Sequence, residues 1–458
     1  MRLIQLASLF ALVAASFVAC GKRGTLPDPD LARFVASKRA QAKQLAAAQT
    51  NSVPATVWEF FDAVERNDWP AATNLFEGLK KHAAHLHYHD HDTDSPSRFK
   101  AALQILRQKA GFSDGMQPAL DTELWVPLTE TIGTYEQFHD WDLKWLRRFG
   151  RDIIDSIPSN SIYFGGISAG QYVIAALSDS HREGRPFFTL TQNQLREETY
   201  LNYLRIMYGS KLYIPTSADV NNAFHEHLDF VSMRSNSEGP KPSELMPIEA
   251  RLVKVIMERN PGREFYLQES YSMELIYPHL SPHGLIFKLH GEPLAELSEA
   301  IVTTDRNYWA HYVKELLGDW LTPETSVTEI CDFSSRVFRR NDLNGLQGDR
   351  EFAQNKAAQK EFSKLRAAIG KLYAWRAEHA SSPEEKQRML KEADLAFRQA
   401  LALCPYLPEA IFPYAQLLVN QQRWTEVRLL AETCHQIDPG DQQVQGLLDN
   451  LKMYDKAR

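Results

Sequence analysis

The sequence predicts an α/β domain combined with all-α regions: a central, mainly parallel sheet with flanking helices, a helical N-terminal region and helical repeats at the C-terminus. Two observations support this fold class. Between residues 161 and 289, short β-rich runs alternate with helical patterns, which is typical of parallel strands connected by helices. Near the C-terminus, a fixed spacing of small residues and proline recurs after 34 residues.

The central region contains five runs that we predict to be buried strands: Ser161–Phe164, Phe187–Thr191, Lys211–Ile214, Glu264–Gln268 and Leu285–Leu289. Helical patterns fall between them, at about 171–183, 195–208, 217–234, 246–259 and 272–280. Before this region, residues 55–81 read as a helical hairpin that turns at Asn67-Asp68. Residues 119–156 read as a helix that is kinked or interrupted near Pro127.

The C-terminal repeat is defined by its spacing. Ala393, Phe397, Ala400 and Pro405 lie 4, 3 and 5 residues apart, and the set from Val427 to Pro439 repeats that spacing 34 residues later. This is the tetratricopeptide period, in which small residues lie where two helices approach closely and proline follows the second helix. Ordinary helical hairpins are the alternative interpretation.

These patterns together divide the chain into five parts. They are a signal peptide over 1–19, a tether and helix over 20–54, a helical region over 55–156, an α/β domain over 157–320 and a helical region with repeats over 321–458.

The first residues predict export. Leu3 to Val18 is an apolar run that follows Met1-Arg2 and is too short to span a membrane, and Ala19-Cys20 fits a lipoprotein processing site. Lipidation of Cys20 would make the anchor the only membrane contact, and Gly21 rather than Asp favours the outer membrane. Ordinary cleavage after Ala19, which would leave a free secreted protein, is the alternative. Either way, the protein is predicted to work outside the cytoplasm.

Charge and cysteine content narrow the function classes. The formal net charge of −7 argues against a nucleic-acid-binding surface, and no cofactor is expected. Cys20, Cys331, Cys404 and Cys434 are the chain's four cysteines, and lipidation of Cys20 would leave an odd number. Spacing alone would permit a disulfide between Cys404 and Cys434, but both lie in helical patterns, so we interpret them as buried small apolar residues.

The glycine-rich turn after the first predicted strand is the clearest candidate for chemistry. Gly166-Ile167-Ser168-Ala169-Gly170 matches the G-x-S-x-G nucleophile elbow, with His279, His283 or His290 as a later base. The turn follows the first strand, however, and no second glycine-rich oxyanion string precedes it. A ligand-contacting turn formed by Gly165, Gly166, Ser168 and Gly170 and a purely structural turn are both favoured over a hydrolase.

The histidines at positions 82–91 have metal-ligand chemistry. His85, His87, His89 and His91 alternate, so an extended segment would place all four on one side. The segment reads as a solvated loop without a scaffold, so the four histidines are weak candidates for a metal site.

Most of the chain, from about Val57 to Tyr454, resembles a family of bacterial tetratricopeptide-repeat proteins without an established activity. The matching strings are SIYFGG at Ser161, PFFTLTQNQL at Pro186, YLNYLRIMYG at Tyr200, FSKLRAAIGKLYAWR at Phe362 and LKEADLAFRQALALCPYLPEA at Leu390.

The α/β part more distantly resembles the soluble extracytoplasmic domain of bacterial glycosyltransferase-like membrane proteins related to protein O-mannosyltransferases. The shared order runs from Ile157-Pro158 through Arg185-Pro186 to His283-Gly284. Both families tend to have an acidic residue in the turn that holds Ser168 here, and its absence argues against an inherited ligand or metal role. The membrane-embedded catalytic part of those transferases is absent, so the resemblance does not imply transferase activity.

Two functions follow from these observations. The first is a non-enzymatic, lipid-anchored adaptor that binds another protein of the cell envelope through Pro413, Gln416, Leu417 and Asn420 on the first helix of the complete repeat. The second is an α/β module that handles a glycan or glycolipid and is recruited by the repeats.

Overall fold

The computed structural model describes residues 28–48, 53–81, 123–166, 169–178, 184–234, 248–268 and 274–457. The chain forms two compact units, with the boundary between Leu120 and Asp121. The first unit contains helices α1 (Pro29–Ala47), α2 (Ala55–Glu65) and α3 (Trp69–Lys81). No helix in the described ranges is both long enough and apolar enough to cross a membrane.

In the first unit, α2 and α3 form the predicted hairpin. Asn67 takes a positive φ of 55° in the turn, a conformation that asparagine tolerates better than most residues. The rings of Phe60 and Phe76 pack across the pair with centroids 5.9 Å apart. Since Pro70 lies in the first turn of α3, its missing N–H costs no helical hydrogen bond.

The second unit combines a small sheet with many helices. In chain order its elements are α4 (Trp125–Asp140), α5 (Leu143–Ser156), β1 (Ile162–Gly165), α6 (Ala169–Ser178), β2 (Phe188–Thr191), α7 (Glu198–Tyr208), α8 (Ser217–Arg234), α9 (Ile248–Arg259), β3 (Phe265–Leu267), β4 (Leu280–His283) and β5 (Ile286–Leu289). The C-terminal part is helical: α10 (Glu299–Leu317), α11 (Val327–Ser334), α12 (Lys356–Glu378), α13 (Pro383–Leu403), α14 (Pro408–Asn420), α15 (Trp424–Ile437) and α16 (Gln442–Ala457).

The sheet is mixed rather than mainly parallel, which corrects the prediction. Its strand order is β2-β1-β3-β5-β4. Strand β1 pairs in parallel with β2 and β3, whereas β5 is antiparallel to both β3 and β4. The predicted helix over 272–280 is a short 3₁₀ turn followed by β4, which forms a hairpin with β5 around Gly284 at φ 60°.

The predicted strand at Lys211–Ile214 is not part of the sheet, which leaves β2 as an edge strand. Helix α7 satisfies this edge instead. The Tyr208 hydroxyl lies 3.2 Å from the Thr189 N–H and donates to the Thr189 carbonyl at 3.0 Å, and the Tyr200 hydroxyl accepts the Thr191 N–H at 2.7 Å. An edge strand with free backbone groups is a template for aggregation. The two tyrosine hydroxyls bind these backbone groups of β2 and so take the place of a neighbouring strand.

The predicted helix over 119–156 is two helices that break at Trp141-Asp142. Asp142 is the N-cap of α5, and its carboxylate accepts the Lys144 N–H at 2.8 Å. Pro127, where the interruption was predicted, lies in the first turn of α4 and is compatible with a helix there.

The C-terminal helices pack as successive hairpins. An added Cβ at Gly370 in α12 would lie 2.9 Å from the Phe397 ring of α13, and the Ser363 hydroxyl donates to the Ala400 carbonyl at 2.7 Å. These two helices therefore approach closely at small residues. Tyr414 of α14 stacks on Phe397 with a centroid distance of 5.8 Å, so the next helix continues the same core.

The sheet layer and the C-terminal helices share one core. Phe362 of α12 packs edge-on against Trp145 and Phe149 of α5, and Tyr312 of α10 completes the cluster. The buried guanidinium of Arg376 in α12 donates to carbonyls of the segment before β4 and of the loop before α10. Helix α12 is consequently fixed to the sheet layer.

The thiols of Cys331, Cys404 and Cys434 are free and buried, which confirms the interpretation of the last two as small apolar residues. Burial raises the pKa of Cys331 to about 11 and that of Cys404 to about 12. Both thiols therefore stay protonated and poorly reactive at neutral pH.

Candidate ligand site at the sheet edge

The strand order creates a topological switch point beside β1. The chain leaves β1 towards β2 on one side and later returns to place β3 on the other side. At the carboxyl edge, Gly165 is paired with Thr191 and Phe164 with Leu267, so the turns after these three strands meet there. In open α/β sheets, ligands bind in the crevice outside the carboxyl ends of the strands at such a point.

The glycine turn predicted from the sequence lies at this switch point. A Cβ at Gly170 would overlap the side-chain amide of Gln268, and one at Gly165 would lie 2.9 Å from the Gly170 carbonyl. The Tyr163 hydroxyl lies 3.0 Å from that carbonyl and 2.8 Å from Gln268 Oε1. Glycine is thus required at 165 and 170 by close approach. Gly166 follows β1 directly, whereas Ser168 lies outside the described residues.

Buried amides without partners distinguish this edge. Gln192, directly after β2, is 2% exposed, and neither its Oε1 nor its Nε2 has a hydrogen-bond partner among the described residues. Within the same described ranges, the Nε2 of Gln171 (3% exposed) and the hydroxyl of Thr191 are also unpaired. A buried, unsatisfied polar group costs about 1–3 kcal/mol, so several together at one edge call for a functional explanation.

A buried carboxylate of this unit lies close to Tyr172, Tyr200 and Tyr203. Glu130 of α4 is buried and accepts a hydrogen bond from the Tyr203 hydroxyl. Burial, with a smaller contribution from Glu130, raises the pKa of Tyr172 and Tyr200 above the usual value. These phenols therefore remain neutral hydrogen-bonding groups at ordinary pH.

The three histidines considered as a catalytic base are engaged elsewhere. His290 Nε2 lies 2.9 Å from the Ser281 hydroxyl, and His279 Nδ1 lies 3.0 Å from the His290 carbonyl. His283 Nε2 lies 2.8 Å from the Ser156 carbonyl. Burial lowers the pKa of His290. These contacts hold the β4–β5 hairpin, and none of them involves the glycine turn.

The histidine-rich segment that includes His85, His87, His89 and His91 lies outside the described residues. Across the described ranges, no group of three or more histidine, cysteine, aspartate or glutamate side chains is arranged to hold a metal ion.

The candidate partner face on α14 is smaller than predicted. Gln416 and Asn420 are exposed and lie on the same side of the helix because they are four residues apart. The Gln416 Nε2 accordingly donates a hydrogen bond to the Asn420 Oδ1 at 2.7 Å. Pro413 is half-buried, and Leu417 is 5% exposed and belongs to the core. Leu417 is therefore removed from this face.

Gln171, Gln192 and Gln268 were not singled out from the sequence. The signal available was their position, since Gln192 and Gln268 each directly follow a strand and Gln171 lies in the first turn of the helix after β1. That position has meaning only once the strand order is known.

Comparison of the chain with protein-family models, curated proteins and solved structures returns no match.

Proposed function

We propose that this protein is an extracytoplasmic binding module that holds an uncharged, hydroxyl-rich ligand, a glycan or the headgroup of a glycolipid, at the carboxyl edge of its sheet. The observation that carries the proposal is the group of buried, unpaired side chains at the switch point, above all the amide of Gln192.

The ligand class follows from the chemistry of these groups. An amide offers two donors and an acceptor, and a threonine hydroxyl offers both functions, so Gln171, Thr191 and Gln192 match the mixed character of sugar hydroxyls. A phosphate or carboxylate ligand would instead call for arginine or lysine.

We expect Gln192→Leu to abolish ligand binding without lowering stability. The replacement removes an amide that has no partner in the described residues and substitutes an apolar side chain of similar shape, which is neutral or stabilising at such a position. The measurement is a glycan array with the wild type and the variant, together with their melting temperatures.

Gln359→Leu is the matched control. Gln359 is equally buried, but its amide donates to the Phe352 carbonyl at 2.8 Å and accepts from the Tyr406 hydroxyl. This variant should lose about 1–3 kcal/mol of stability and keep the glycan profile. A wild-type protein that binds nothing on the array, or a Gln192→Leu variant that binds equally well, contradicts the proposal.

The C-terminal helices support a second proposal, that α12 to α16 are tetratricopeptide repeats with an adaptor role. Gly370 packed on Phe397 and the 34-residue spacing are the supporting observations. Since α12 is covered by the sheet layer, these repeats also buttress the α/β part, and a partner must use a surface that remains open.

We also propose that Cys20 anchors the mature protein to the outer membrane, on the support of the apolar run and of Ala19-Cys20. A diacylglyceryl group gives stable anchoring, whereas one acyl chain is marginal. Cys20→Ala should move the protein from the membrane pellet to the soluble fraction or leave it unprocessed. A wild-type protein that is soluble after cell breakage without detergent contradicts this assignment.

A further inference from the structure

The first turns of α12 lie towards the carboxyl edge of the sheet, although this helix belongs to the C-terminal part of the chain. Helix α5 leads into the start of β1 and α6 begins after its end, so both helices run opposite to β1. They also pack together, because a Cβ at Gly150 would lie 3.0 Å from the Val173 side chain. The start of α5, with Trp145, therefore lies on the side of the carboxyl edge. The Phe362 ring of α12 packs there, 6.4 Å from the ring centroid of Trp145 and 5.9 Å from that of Phe149.

A carboxylate from α12, that of Glu361, reaches this edge. It lies close enough to the Tyr163 hydroxyl of β1 to add to the effect of burial, which raises the pKa of that phenol well above its usual value. The Tyr163 hydroxyl in turn lies 3.0 Å from the Gly170 carbonyl in the glycine turn. The Glu361 carboxylate therefore lies near the same edge as the amides of Gln171 and Gln192.

One oxygen of this carboxylate has no partner. Glu361 Oε2 is buried and accepts no hydrogen bond from any residue in the described ranges. The ionisable groups around it are Lys360 and Lys364 on its own helix, Glu409 of α14 and the Tyr163 phenol. Burial has the largest effect and raises the pKa of the Glu361 carboxyl above its ordinary value. A buried carboxylate oxygen without a donor is costly for folding, so it calls for a ligand that supplies the donor.

We propose that Glu361 is a ligand-binding residue of the sheet-edge site, and that its ionised carboxylate accepts hydrogen bonds from sugar hydroxyls. This inference rests on the proposed glycan function. The amides of Gln171 and Gln192 are neutral, whereas a carboxylate is a charged acceptor, and hydrogen bonds to it are about twice as strong. Because the contact uses only a side chain, the backbone hydrogen bonds of α12 are not expected to change on binding.

The test compares Glu361→Gln with the wild-type full chain by titration calorimetry, using the glycan that binds the wild type most tightly on the array. At neutral pH the variant should bind about tenfold more weakly, because a neutral hydrogen bond replaces a charge-assisted one. At mildly acidic pH the wild type should lose affinity as Glu361 takes up a proton, since only the ionised carboxylate is the charged acceptor. The affinity of Glu361→Gln should change little over the same range.

Glu392→Gln is the matched control. Glu392 is a buried glutamate of α13 whose carboxylate accepts hydrogen bonds from the Arg306 guanidinium, and it is not part of the sheet-edge site. This variant should have a lower melting temperature and an unchanged affinity for the glycan, because it weakens an existing ion pair.

The melting temperature of Glu361→Gln tests the inference independently of glycan binding. A raised pKa means that the ionised carboxyl disfavours the fold, so the variant should melt no lower than the wild type at neutral pH. Any advantage of the variant should disappear as the pH falls, because the wild-type carboxyl is then protonated as well. A clearly lower melting temperature of Glu361→Gln at neutral pH would show that the carboxylate stabilises the fold through a partner, and would overturn the proposal.

The binding results separate this inference from the proposed function. If Gln192→Leu abolishes binding while Glu361→Gln binds as tightly as the wild type, the role of Glu361 is refuted and the proposed function stands. The same conclusion holds if the wild type and Glu361→Gln lose affinity equally on acidification, because another group then titrates. A wild-type protein that binds no glycan refutes the proposed function and this inference together.

Discussion

Replacing Asp305 with alanine is expected to lower the free energy of unfolding by about 3–5 kcal/mol, because it leaves a buried guanidinium without its counter-ion. Asp305 of α10 and Arg366 of α12 are both buried, with a 2.8 Å ion pair between them, and the Tyr373 hydroxyl donates to the same carboxylate oxygen at 2.9 Å. The Arg366 guanidinium also lies over the Trp309 ring, 5.0 Å from its centroid. Urea unfolding followed by circular dichroism measures the change.

Two controls separate this effect from ordinary packing. Asp305→Ala combined with Arg366→Met should recover part of the loss, because an apolar replacement of both members of a buried pair is often tolerated. Lys452→Ala breaks an exposed pair with Asp449 and should leave the free energy of unfolding nearly unchanged. Two results would refute the coupling between Asp305 and Arg366. One is a small effect of Asp305→Ala. The other is a loss of stability in the double variant that equals the sum of the losses in Asp305→Ala and Arg366→Met.

Replacing Arg376 with methionine is expected to cost about 3–5 kcal/mol, because it strips donors from several buried or partly buried carbonyls at once. Its terminal nitrogens donate to the carbonyls of Leu294 at 2.7 Å, Pro278 at 2.8 Å and Tyr277 at 3.2 Å. These bonds link α12 to the segments on both sides of the β4–β5 hairpin.

The same substitution tests whether the helices buttress the sheet. In Arg376→Met, hydrogen exchange should accelerate in β4 and β5 as well as in α12. Arg376→Lys should have an intermediate effect, because the lysine ammonium can reach only some of the carbonyls that Arg376 binds. If stability changed by less than about 1 kcal/mol, the guanidinium would have no role in coupling the two layers.

The sequence patterns located four of the five strands, because buried strands with runs such as Ile162-Tyr163-Phe164 leave a strong local signal. Strand β4 was missed because Leu280-Ser281-Pro282-His283 has no such signal, and proline is tolerated there only because β4 is an edge strand. The false strand at Lys211–Ile214 has the apolar character of a strand, but the edge that it would occupy is satisfied by tyrosine hydroxyls from α7. That choice depends on tertiary contacts that no local pattern contains.

The candidate site was predicted in part. The glycine turn at Gly165 and Gly170 was recognised because a strand-to-helix turn needs glycine. Gln171, Gln192 and Gln268 are unremarkable as single residues, and they share an edge only through the order β2-β1-β3. Strand order is set by long-range pairing, so the polar half of the site became visible only in the folded chain.

The sheet-edge site is tested most directly by hydrogen–deuterium exchange of the protein, measured with and without the glycan that binds most tightly on the array. We predict slower exchange in segments 162–171 and 188–195 of the wild type, no such change in Gln192→Leu, and unchanged exchange over 356–457. Protection confined to the helices of 356–457, or protection at the sheet edge that persists in Gln192→Leu, would contradict the assignment of the ligand site to the carboxyl edge of the sheet.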